Sequence, residues 1–146
     1  MSKLNIVLFI FLVVAIVVTS GFIIYLVVTP QQAEKFTEFY ILNTDGKAQD
    51  YPKQVIVGKP AEILIGVANY EYQPADYKVE IQMDSMEVGK ANVGTLAHQQ
   101  KWEEKVSFIP RAVGQGQRVY FILFKDGETE PYLKEPLRLY VDVVSP

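Results

Sequence analysis

From Leu4 to Val28 the chain carries no charged side chain, and this 25-residue run limits the fold more than any other feature of the sequence. As a helix rising about 1.5 Å per residue it reaches about 37 Å, against a bilayer hydrocarbon core of about 30 Å. It is long enough to span with some tilt. Its polar members are Asn5, Thr19, Ser20 and Tyr25. A helix satisfies its backbone N–H and C=O groups internally, as lipid demands. The run therefore reads as a single transmembrane helix over 4–28, after a short cytoplasmic N-terminus at 1–3.

The competing reading is a cleaved signal peptide. Lys3 supplies a positive start, and Val18-Thr19-Ser20 resembles a weak small-residue cleavage site. The apolar part of a signal runs only about 7–15 residues, however. Here it continues past Gly21 through Phe22, Ile23, Ile24, Leu26, Val27 and Val28, and cleavage would leave that apolar tail on the mature domain. An uncleaved anchor fits better. With no Cys, a lipobox and S-palmitoylation are excluded, and Met1-Ser2 lacks the glycine that myristoylation needs. Basic flanks stay in the cytoplasm. Lys3 and the α-amino group stand on one side, Glu34, Lys35 and Glu38 on the other. The expectation is a single-pass protein of the cell membrane with its C-terminal domain outside the cytoplasm.

Residues 29–35 read as a polar linker, with Pro30 stopping the helix. Residues 36–146 read as the extracytoplasmic domain, of a size that supports one hydrophobic core. Lys3 is one of 14 basic side chains, so the remainder sets 13 against 17 acidic ones, a balance of −4. Nucleic acid calls for a basic face, so it is not an expected partner.

Past residue 36 the hydrophobic period is two. Ile63, Ile65 and Val67 share a face, as do Tyr77, Val79, Ile81 and Met83. Trp102, Val106 and Phe108 alternate with Glu103, Lys105 and Ser107, and Glu104 breaks the apolar side near a strand edge. Trp102 is expected in the core. Val119, Phe121 and Leu123 point inward, while Tyr120, Ile122 and Phe124 make a second apolar row, the pattern of a central strand covered on both faces. Leu137, Leu139, Val141 and Val143 form the last strand. Asp45-Gly46 and Asp126-Gly127 mark turns. About seven short strands with regular turns imply an all-β fold, an immunoglobulin-like antiparallel β-sandwich.

The stretch from Phe36 to Pro52, FTEFYILNTDGKAQDYP, resembles the start of the DUF1616 family, uncharacterised and mostly archaeal membrane-associated proteins. Val57-Gly58, the run from Gly66 to Tyr72, Tyr77, Trp102-Glu103, Phe108, Gly114, the run from Phe121 to Lys125, and Pro131-Tyr132 agree with it. The resemblance covers about residues 36–144. It implies an extracytoplasmic β-sandwich, and it implies no activity and no site residues. Many members have a longer membrane portion than the single helix here.

The residues supply little chemistry. The single His, His98, lies in a polar loop and there is no Cys, so neither a catalytic triad nor a transition-metal site assembles. Asn43 to Asp50 places oxygen ligands at alternate positions, but Lys47 interrupts them and no distal glutamate follows, so a hairpin turn is the better reading. Asp126, Glu128 and Glu130 read as a solvated turn. Glu103 and Glu104 are adjacent on a strand and point to opposite faces, so they cannot flank one bond. No enzymatic activity and no cofactor is expected.

The remaining signal is aromatic. Tyr51, Tyr70, Tyr72 and Tyr132 fall in loops or at strand ends, where tyrosine offers contact area at low entropic cost. Tyr70-Glu71-Tyr72-Gln73-Pro74 is the best candidate partner-binding patch, with Pro74 stiffening the turn. The structural alternative is a loop plug or tyrosine corner. The leading expectation is a non-enzymatic interaction module, held in the bilayer by its helix, that docks a membrane or cell-envelope protein. The alternatives are a structural envelope or filament subunit, and a ligand-binding domain for sugar.

Overall fold

The computed structural model describes residues 2–28 and 34–146. The chain divides into two units, Met1–Glu34 and Lys35–Pro146. In the first, helix α1 spans Lys3–Val28. Ser2 caps it, accepting a hydrogen bond from the Asn5 N–H at 3.3 Å. Thr19 turns its hydroxyl back onto the Ala15 carbonyl at 2.7 Å, which removes a polar group from the apolar surface. The helix is long and apolar enough to cross a membrane. Of the expected linker, residues 29–33 lie outside the described residues.

The second unit has eight strands: β1 Phe36–Leu42, β2 Gln54–Ile56, β3 Ala61–Tyr70, β4 Ala75–Met83, β5 Met86–Leu96, β6 Lys101–Phe108, β7 Gly114–Lys125 and β8 Leu137–Val144. They form two sheets, β1-β3-β6 and β2-β8-β7-β4-β5. Every pairing is antiparallel except that of β2 with β8. The arrangement is the expected all-β sandwich of immunoglobulin-like type, with eight strands where about seven were read. The strands without an apolar alternation described from sequence are β1, β2 and β5, of which β5 is the longest. Gly89 and Gly94 interrupt its alternation, and its pairing with β4 shifts register twice. Gly89 is required by packing: a Cβ there would stand 2.7 Å from the backbone oxygen of Ser107 on β6. Between β4 and β5, Asp84 and Ser85 both take left-handed backbone (φ 50° and 62°), the geometry of a two-residue type I′ turn.

The period of two sets the core. Ile63, Ile65 and Val67 of β3 face Tyr77, Val79 and Ile81 of β4 and Val119, Phe121 and Leu123 of β7, all of them buried. Phe108 and Phe121 meet edge to face across the two sheets, 6.5 Å apart at 87°. Each such side chain contributes about 1.5–3 kcal/mol by leaving water.

Two expectations are corrected. Trp102 keeps the inward register, opposite Val67, but it lies at the beginning of the edge strand β6 and is only half-buried. β7 is central, yet its second apolar row is not covered by another layer. Tyr120, Ile122 and Phe124 lie half-buried on the outer face of the five-stranded sheet. They are shielded by neighbouring side chains instead; the Lys78 ammonium sits 5.2 Å from the centre of the Phe124 ring.

Candidate functional site

The start of β1, the end of β3, the turn into β4, the end of β5 and the end of β7 all come to one end of the sandwich. That end carries Tyr70, Tyr72, Pro74 and Tyr132, while Tyr51 lies apart, in the segment after β1.

The organising residue of this end is Asn69, fully buried at the last inward position of β3. Its amide Nδ2 donates to the Gln73 carbonyl at 2.8 Å and to the Leu96 carbonyl at 2.7 Å, and its Oδ1 accepts from the Glu71 N–H at 2.8 Å. Its backbone exchanges bonds with Gln99 and Gln100. One side chain thus ties the β3–β4 turn to the β5–β6 turn, as a short polar side chain at a turn is suited to do.

Next to it, Glu71 is buried, with only 7% of its surface exposed. A buried carboxylate is stable only when it is paired and hydrogen-bonded. Here Oε1 accepts from the Tyr132 hydroxyl at 2.8 Å and the Thr37 hydroxyl at 3.1 Å, and Lys125 approaches Oε2 at 3.6 Å. Thr37 also bonds the Tyr77 hydroxyl at 2.7 Å. Burial pushes the Tyr77 and Tyr132 phenols above their ordinary range. For Tyr132 the bond to Glu71 adds to the rise; for Tyr77 the bond to Thr37 opposes it. The network is closed: no buried side-chain polar atom lacks a partner among the described residues. That is the chemistry of a scaffold.

The five candidate tyrosine and proline positions divide accordingly. Tyr132 accepts the Thr37 N–H at 2.9 Å, and Tyr51 donates to the Ile41 carbonyl at 3.0 Å. Both are half-buried against the core, and both occupy backbone groups on the side of β1 that pairs with no other strand. Tyr70 stacks on Phe36, its register partner, at 5.0 Å and 28°, with Phe36 46% exposed. Pro74 is exposed. Tyr72 differs from all of these. It is 38% exposed, its backbone is left-handed at φ 63°, and its ring stacks on His98 at 4.4 Å and 22°. The Tyr72 N–H donates to His98 Nδ1 at 3.1 Å, which makes His98 a half-buried support rather than the solvated loop residue its setting implied.

The sequence names Glu71 only as part of the 70–74 patch, without its buried role, and gives no role to Asn69, Thr37 or Lys125. One signal for Thr37 was available: it shares the inward register with Phe39 and Ile41, where a polar residue needs a buried partner. The Asn43 turn is self-contained, since the Asn43 Oδ1 accepts from the Asp45 and Lys47 N–H groups. Glu103 and Glu104 stand opposite Gly66 and Ile65 and so on opposite faces, as expected. Among the described residues no group of three or more His, Cys, Asp or Glu converges.

The profile of the DUF1616 family, described as a domain of unknown function, matches residues 30–143. No curated protein matches the chain. Among solved structures, the crystal structure of a CARDB domain from Pyrococcus furiosus, in complex with di-metal ions, is similar over 80% of this chain and 95% of that one, at 17% identity and a TM-score of 0.51. The solution structure of the same CARDB domain covers 76% of this chain and 98% of that one, at 17% identity and a TM-score of 0.49. At such identity the likeness is one of fold.

Proposed function

The chain belongs to the DUF1616 family, and from that premise we propose that it is a membrane-anchored, non-enzymatic module that docks a protein of the membrane or cell envelope through the aromatic end of its sandwich. One observation carries the reading: Tyr72 is an exposed aromatic held ready in a disfavoured backbone conformation. A non-glycine residue at φ 63° is uncommon and costs on the order of 1–3 kcal/mol. The fold sustains that cost with the Asn69 bonds on one side and the His98 stack on the other. A rigid aromatic on a fixed loop loses little entropy when a partner covers it. Tyr70, Phe36 and Pro74 extend the contact area at the same end.

The anchor in this reading is α1, which is long and apolar enough to cross a membrane. With Lys3 as its basic flank, the domain lies outside the cytoplasm. Protease added to spheroplasts should then remove the domain and leave the helix; protection of the domain until lysis would reverse the orientation.

The docking test uses the full chain in detergent, with partners recovered by affinity capture and identified by mass spectrometry. Tyr72→Ala should weaken partner recovery by about 2 kcal/mol, roughly 30-fold, with little change in melting temperature. Tyr72→Gly should raise the melting temperature by relieving the backbone, yet lose recovery equally. Unchanged recovery per folded molecule in both variants rejects the docking role and leaves Tyr72 as scaffold.

A further inference from the structure

A second constellation lies on the outer face of the five-stranded sheet, away from Tyr72. Arg118 of β7 stands directly opposite Tyr140 of β8, and Tyr120 opposite Arg138. Between them Val119 and Leu139 point inward and are buried, so all four named side chains project outward. The result is a two-by-two alternation of guanidinium and phenol, with Tyr140 56% exposed. Directly opposed Cβ atoms in such a ladder are about 4.5–5.5 Å apart, close enough for one small ligand to touch all four groups. Among the described residues neither guanidinium has a carboxylate within ion-pair distance; the ion pairs are Lys78–Glu80, Lys101–Glu103 and Lys125–Glu71. Asp142, next along β8 on the same face, accepts the Gly116 N–H through Oδ1 at 2.8 Å and pairs with neither arginine.

Arg118 and Tyr120 continue into a cleft of about 390 Å³, which is also lined by Asp84, Ser85, Gln115 and Gln117. The cleft is open to solvent and its lining is mainly polar. We propose that the cleft and the Arg–Tyr platform beside it bind a sugar unit that bears a carboxylate. The guanidinium fork matches a carboxylate in plane and in spacing. The tyrosine rings offer flat apolar faces to the C–H side of a pyranose. Ser85, Gln115 and Gln117 donate and accept, and Asp84 accepts, which is the inventory that ring hydroxyls require. Asp84 favours a sugar over an acidic peptide, because it accepts from a ring hydroxyl, a donor that a glutamate side chain does not offer. The site stands independently of the docking role given to Tyr72.

The test titrates the full chain in detergent micelles, by calorimetry, with a trisaccharide that ends in a single galacturonic acid, a neutral galactose trisaccharide and a peptide blocked at both ends that carries one glutamate. The acidic sugar should bind saturably, and the neutral one at least about tenfold more weakly, the loss expected when a charge-assisted bidentate contact is missing. Arg118→Ala and Tyr140→Ala should each lower affinity about tenfold, and Arg118→Lys should lose most of it because the fork is gone. Melting temperatures should stay near that of the parent, since all these side chains are at the surface. Tyr72→Ala should bind the sugar normally, so the outcome here is separate from that of partner capture. The proposal is overturned by the absence of saturable binding of the acidic sugar up to about 10 mM, by a peptide that binds as well as the sugar, or by arginine and tyrosine variants that bind like the parent.

Discussion

Tyr40 lays its phenol ring across Gly66 so closely that a Cβ at Gly66 would overlap the ring. The three residues Tyr40, Gly66 and Glu103 are register partners across β1, β3 and β6. The missing side chain in the middle strand is what lets the Tyr40 hydroxyl reach the Glu103 carboxylate on the far side. Lys101 completes the group, 3.2 Å from Glu103 and 5.4 Å from the centre of the Tyr40 ring.

Because the atoms that would clash belong to the far end of a movable side chain, Gly66→Ala should displace the ring rather than the backbone. The expected cost is about 1 kcal/mol, that of one hydrogen bond lost. In a Tyr40→Ala background the same substitution should become neutral or stabilising by about 0.5 kcal/mol, since alanine is better than glycine inside a strand. A double-mutant cycle by chemical denaturation measures the reversal; equal costs in both backgrounds would show that the two residues do not interact.

The same group sets an acid response. The Tyr40 hydroxyl, and then Lys101, hold Glu103 below its ordinary value of 4.5. A depressed carboxylate stabilises the fold above its unfolded value and loses that contribution as pH falls through the folded one. The melting temperature should therefore drop as pH falls below about 4.5, and Glu103→Gln should flatten part of that slope. A profile identical in the variant and the parent would remove Glu103 from the account.

Tyr77 and Tyr132 give the opposite limb. Burial raises both phenols, so their contribution is complete below pH 10 and is lost as pH rises through their folded values. Tyrosinate absorbance followed against pH should show two groups titrating late, in step with loss of structure. Ionisation of all the domain tyrosines before unfolding would contradict the burial.

Glu71→Ala should cost about 3 kcal/mol, because it leaves Lys125 and two hydroxyls without their acceptor. Glu71→Gln keeps an acceptor and should cost less, about 1–2 kcal/mol. Denaturant midpoints separate the two, and equal costs would mean that the charge, rather than the hydrogen bonds, holds the network.

The alternating apolar runs of β3, β4, β7 and β8 made the sandwich legible, because a period of two states which face is buried. β5 was not legible: Gly89 is there for its close approach to Ser107, a tertiary demand that no local pattern announces. Trp102 had the correct face but not its depth, since strand order decides which strand is the edge, and alternation does not carry strand order. In the candidate site, Tyr72 was singled out as a loop aromatic. His98, 26 positions away, was not linked to it, because only the turn at Asn69 brings them together. The tyrosines in loops looked alike in sequence. Tyr51 and Tyr132 proved to be half-buried supports because β1 has one side without a neighbouring strand.

A free strand edge is a template for association unless something blunts it. Here the Tyr132 hydroxyl takes the Thr37 N–H and the Tyr51 hydroxyl takes the Ile41 carbonyl, four residues apart on the same edge. Tyr51→Phe and Tyr132→Phe keep the rings and their packing but remove these contacts; Tyr51→Phe should cost about 1 kcal/mol, and Tyr132→Phe about 2–3 kcal/mol because its hydroxyl also donates to the buried Glu71 carboxylate. The double variant should nonetheless self-associate more than the parent at equal concentration in detergent, because two backbone groups of β1 are then open to another strand. Size-exclusion chromatography with light scattering reads this directly. A double variant that is less stable but no more associated than the parent would show that the two hydroxyls hold their loops and do not guard the edge.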